Sequence, residues 1–251
     1  MSIMVALTGN ELRLYLREWG MLVFAFVFPP LMMLILAGVF GADPTDEAFP
    51  GTNGSDYYIA SYVGVPLAAV ALTALPVMLA SYQELGILRR FAASGVGAVR
   101  IVLSQAVVCL VSVLAGAVAV VAVAAPVYGV PAVQRPALLV GVVLLGAVVM
   151  LTLGIALGLS VRSVRVASAA GLLVFFPMFI LGGGGPPPTV MPSGMRDLAD
   201  LLPLTHLSEA LRAAWLYDRV ASDDLWWLVG WLAAGLALVA VAARVRRTSL
   251  R

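Results

Sequence analysis

The chain has 251 residues, 62% hydrophobic and 11% charged, with a mean hydropathy of +1.04 and a formal charge of +2. An ordinary soluble domain is about a quarter charged, so this composition excludes one and predicts an all-α membrane protein, with room for about six helices of about 20 residues and none for a soluble catalytic domain. All fifteen cations are arginine, so there is no lysine for a Walker A loop, and the small net charge gives no reason to expect nucleic acid as a partner.

Residues 1–19 read as an amphipathic interfacial helix, with Leu12, Tyr15, Leu16 and Trp19 on one stripe and Asn10, Arg13 and Arg17 on the opposite one. Residues 20–40 form the first span, with Pro29 and Pro30 as a kink site. A cleaved signal peptide is disfavoured, because the apolar run exceeds the about 7 to 15 residues of a signal core and Glu11 and Glu18 spoil a basic leader. The next loop carries Asp43, Asp46, Glu47 and Asp56 and no cation, which places it outside. Residues 57–80 form the second span, with Tyr57, Tyr58 and Tyr62 suited to an interfacial belt and Pro66 and Pro76 as further kink sites.

Residues 81–100 are a polar island holding Glu84, Arg89, Arg90 and Arg100 between two uncharged runs. As a helix it would carry Leu85, Leu88 and Ala92 on an apolar stripe beside Glu84, Arg89 and Arg90. Glu84, Gly86, Leu88, Arg89 and Arg90 fit the pattern E-x-G-x-L-(R/K)-R, and the stretch resembles the first cytoplasmic loop of ABC type-2 transporter permeases. That resemblance implies a coupling helix that docks on a separate ATPase subunit, with Phe91 beside the motif in the same role.

Residues 101–125 and 137–161 form a helical hairpin, and Gly154 and Gly158 have the GxxxG spacing that lets another helix approach closely. Residues 166–181 are a short fifth span. Four glycines and three prolines then end the helix. Within the external segment 182–224, two amphipathic helices too short to cross are expected at 192–201 and 204–216, dipping in from outside where protein or water covers them. Met191–Pro192 and the run L-P-L-T-x-L-x-E-A-L-R over 202–212 resemble the same family's re-entrant segment. Pro192, Pro203, Leu204, Thr205, Glu209 and Arg212 carry that match. Residues 225–243 are the sixth span, followed by a basic tail.

With both ends inside, eleven arginines are cytoplasmic and four (Arg135, Arg196, Arg212 and Arg219) external, while ten of the thirteen acids lie outside. The positive-inside bias therefore favours this orientation. Ser193, Gly194 and His206 invite comparison with an intramembrane serine protease, but no glycine stands two before Ser193 and no acid is placed by sequence to orient the histidine. One histidine makes no metal site, and Cys109, alone in an apolar run, reads as packing. Charge-free spans disfavour an ion pore and suit an apolar or amphipathic cargo. The resemblance implies a single permease domain over 1–251 in a bacterial plasma membrane, non-catalytic by itself. It also implies a second permease subunit, homo- or heterodimeric, and ATP with Mg2+ on the ATPase subunit. Exported drugs, antibiotics, lipids or glycolipids all fit such a path, which the resemblance assigns to spans two and five, with Tyr62, Phe175, Phe176 and Met178 near the cargo. The other class compatible with these residues is a membrane anchor or sensor subunit that transports nothing.

Overall fold

A computed structural model describes residues 3–41, 48–87 and 97–248. The described residues form an all-α structure, and six of its helices are long and apolar enough to cross a membrane. Helix α1 (Ile3–Tyr15) precedes the spans α2 (Trp19–Phe40), α3 (Gly54–Glu84), α4 (Ala98–Tyr128), α5 (Pro136–Ser160) and α6 (Val164–Leu181). Two short helices, α7 (Ser193–Ala199) and α8 (Pro203–Trp215), separate α6 from the last span, α9 (Ser222–Thr248). The basic segment Leu88, Arg89, Arg90 and Phe91 lies outside the described residues.

The helix starts follow local chemistry. Asn53 Oδ1 accepts from the Asp56 amide at 2.8 Å and caps α3, α5 and α8 begin on prolines, whose missing amide costs nothing there, and α9 begins with Asp223 and Asp224 in its first turn. Proline inside a span removes a backbone hydrogen bond and pushes on the preceding turn. Spans α2 and α3 meet this in the same way, with a wide π-turn at Val23–Val27 before Pro29 and Pro30 and another at Val70–Ala74 before Pro76. Span α3 is broken a second time at Val63–Gly64, just ahead of Pro66.

Span α3 is the inner helix: 89% of its most apolar window is buried, against 11% for α9. It is seated closely because its neighbours present glycine. A Cβ on Gly154 of α5 would lie 1.9 Å from the Ala71 carbonyl oxygen, and one on Gly171 of α6 2.3 Å from that of Leu72. Both contacts fall on the π-turn, so the widened turn is clasped between two helices at backbone distance. Helix α9 packs along α5, α1 along α4, and α8 fits between α3, α5 and α9.

Helix α1 turns Glu11 and Tyr15 inward, while Leu12, Leu16 and Trp19 are exposed. Tyr15 thus parts from the apolar stripe that the sequence assigns it, because its face of α1 packs along α4.

Candidate functional site

Three features lie along α3. At the end shared by both chain termini, Gly86 adopts φ +66°, a left-handed conformation that glycine takes without penalty, and its amide donates to the Gln83 carbonyl at 3.1 Å. This closes α3 and turns the chain away. One step earlier, the Glu84 carboxylate accepts the amide of Val164 at 2.8 Å. Val164 is the first residue of α6, so Glu84 caps a helix eighty positions downstream. Gln83 donates to the Gly158 carbonyl at 3.0 Å. The start of the polar island is therefore tied to the turn between spans four and five. Leu85 of the same segment is exposed.

From the middle of the spans to the end opposite the termini runs a column of aromatic rings. Phe40, Phe49, Tyr57, Tyr58, Tyr62, Phe179 and Phe175 follow one another with centroids 5.0–6.1 Å apart, and Phe28 joins at 5.2 Å from Phe179. Such separations suit tilted and edge-on pairs. Of the four residues assigned to a path, Tyr62, Phe175 and Met178 are buried within the chain. Phe176 is 39% exposed and packs edge-on against Phe28. The column joins α2, α3 and α6, and Phe176 is the one of the four that reaches the surface of a single chain.

At the far end the turn after α6 is stitched down by its own carbonyls. Ser208 donates to the Gly182 carbonyl at 2.8 Å, Tyr62 to that of Gly184 at 2.8 Å and Tyr58 to that of Gly185 at 3.0 Å. Helix α8 lies against this turn with Pro203, Leu204 and Thr205 buried, and the Thr205 hydroxyl donates to the Ala199 carbonyl at 2.6 Å. Pro192, at the start of α7, is exposed. Arg212 is 3% exposed; its guanidinium donates to Ser61 Oγ at 2.6 Å and to the Glu209 carboxylate, and lies 4.2 Å from the Tyr57 ring centroid. A buried guanidinium needs such partners.

Several contacts carry no signal in the sequence. His206 pairs through Nδ1 with Asp224 Oδ1 at 2.8 Å and through Nε2 with the Asp200 carbonyl at 2.9 Å, and its ring stacks on Trp227 with centroids 5.0 Å apart. An acid does orient the histidine, from eighteen positions downstream. Both ring nitrogens are engaged, so neither is free to serve Ser193 as a base. Arg212 and Ser61 are 151 positions apart, and no periodicity links them. The buried Glu11 was discernible in part, since Leu7, Glu11 and Tyr15 repeat at i, i+4 and i+8 and set an acid in an otherwise inward stripe. Among the described residues, no three His, Cys, Asp or Glu gather as a metal site.

The family model described as ABC-2 type transporter matches residues 4–216, most of the chain, and the protein belongs to that family. No curated protein matches it.

Proposed function

We propose that this membrane permease of the ABC-2 type is the membrane-embedded half of an ATP-driven exporter for an apolar or amphipathic cargo. A separate ATPase subunit would supply the nucleotide and Mg2+, and a second permease subunit would complete the path. The arginine bias supports a plasma-membrane protein with both termini cytoplasmic. The observation that carries the reading, beyond family membership, is the continuous linkage along α3 and α6. Glu84 lies in the polar island and holds the first amide of α6, α6 supplies Phe175 and Phe179 to the ring column, and the carbonyls of the turn after it accept from Tyr62 of α3 and Ser208 of α8. An ATPase docked on Glu84, Gly86, Leu88, Arg89, Arg90 and Phe91 would push on α6 as one body. That motion would reach the external helices through hydrogen bonds rather than through a flexible loop. Phe176, exposed beside the column, is the side chain best placed to meet cargo or the second subunit.

The test is flux. The chain is co-expressed with its ATPase, reconstituted into lipid vesicles, and supplied with fluorescent apolar and amphipathic probes. ATP-dependent accumulation of at least one probe class is expected, and it should disappear in Arg89→Glu with Arg90→Glu. Stable association with the ATPase but no ATP-dependent movement of any probe would replace this reading with that of a passive anchor.

A further inference from the structure

A cavity of about 880 Å3 opens between α1, the start of α2 and the adjoining end of α3, on the side that carries both chain termini. That volume falls in the range of sites for drug-sized ligands. Leu14, Met21, Val77, Met78 and Leu85 make its walls largely apolar, and among the described residues its only charged lining groups are Glu11 and Glu18. Glu18 is exposed, whereas Glu11 is 2% exposed.

Among the described residues, the buried carboxylate is held by neutral groups alone. Tyr82 donates its hydroxyl to Oε1, and Gln105 Nε2 stands 3.4 Å from Oε2, long for an N–H···O bond. A carboxylate offers about four acceptor positions, so half of the capacity is unused. The other atom of the same carboxamide, Gln105 Oε1, is buried and has no partner among the described residues. Burial raises the Glu11 carboxyl above its ordinary value, against the two hydrogen bonds. A glutamine would tie α1 to Tyr82 as well, without the cost of burying a charge. The pattern is a recess with spare acceptors at its base, apolar walls and a second acid in its lining. It offers far fewer oxygens than Mg2+ or Ca2+ requires.

We infer that this cavity binds an amphipathic amine, with its protonated nitrogen against Glu11 and Gln105 Oε1 and its apolar body along Leu14, Met21, Val77 and Met78. The inference rests on the transport reading above and narrows it, because it names cationic amphiphiles as a cargo class captured beside the interfacial helix.

The experiment uses the full chain in lipid nanodiscs without the ATPase. Dodecylamine bearing a terminal diazirine is photolysed with the protein, and the labelled residues are mapped by mass spectrometry. Labelling at Leu14, Met21, Val77 or Met78 should be saturable and competed by plain dodecylamine. The matching dodecanol probe should label these residues about tenfold less, and Glu11→Gln should lower amine labelling about tenfold, since losing one partner of a buried charge pair is costly. Equal labelling by the alcohol, or unchanged amine labelling in Glu11→Gln, would overturn the assignment. If Glu11→Gln does not insert, the amine-to-alcohol ratio on the unaltered chain decides alone. Flux of the amine without Glu11-dependent labelling removes the site and leaves the exporter; labelling without ATP-driven flux leaves the site and removes the exporter.

Discussion

Replacing Arg212 by alanine removes the guanidinium that joins α8 to α3. The side chain is almost fully buried, donates to Ser61 Oγ at 2.6 Å and to Glu209, and lies over Tyr57. Hydrogen bonds to charged groups contribute about 1.5–3 kcal/mol each, and a desolvated cation–π contact about 2 kcal/mol. Breaking a fully buried ion pair costs about 3–5 kcal/mol. The Glu209 side chain is 31% exposed, so water recovers part of that loss, and the expected destabilisation is about 2–4 kcal/mol. Unfolding in mixed micelles titrated with a denaturing detergent would measure it. Arg212→Lys keeps the charge but not the planar fork, and should recover less than about half. A cycle with Ser61→Ala should show coupling of about 1 kcal/mol, because the two side chains touch. Stability of Arg212→Ala within about 0.5 kcal/mol of the unaltered chain would refute this account of α8's attachment.

Gly154→Ala would set a Cβ 1.9 Å from the Ala71 carbonyl oxygen, so α3 and α5 must part and stability should fall by about 2 kcal/mol or more, whereas Gly141→Ala, with open space around it, should be neutral or slightly stabilising; equal effects in the same unfolding assay would remove the close-approach argument. Glu84→Gln keeps an acceptor for the Val164 amide and should retain cargo-stimulated ATP hydrolysis, while Glu84→Arg loses the cap and sets a cation at a helix start, costing about 1–2 kcal/mol and the stimulation; identical hydrolysis in the two variants would separate the cap from coupling. For Glu11, burial holds the proton more tightly in the folded chain than its ordinary value of 4.5. The folded state therefore binds more protons than the unfolded one above that pH, and stability falls as pH rises through the elevated folded value. Glu11→Gln lacks this loss, so its melting advantage over the unaltered chain should widen as pH rises above 4.5; a difference independent of pH would show that Glu11 is not buried as a carboxyl.

Membrane-spanning character was legible in the sequence because it is a local property: a run of apolar residues long enough for the hydrocarbon core needs no knowledge of its neighbours. So were the glycine–proline break after α6 and the two short helices beyond it, since proline and glycine end helices wherever they stand. Order among the spans was decided only by tertiary structure. Helices α3 and α9 have the same hydropathy, 2.1, yet one is the inner helix and the other faces outward along most of its length. Lipid tails are as apolar as leucine, so composition does not tell a lipid-facing helix from one wrapped in protein. The distinction rests on small residues such as Gly154 and Gly171, whose value depends on what stands opposite. The polar contacts follow the same division. Glu84 with Val164, His206 with Asp224 and Arg212 with Ser61 are pairs that only the packed helices bring within hydrogen-bond reach, and for the buried Arg212 guanidinium that partner is a condition of its burial.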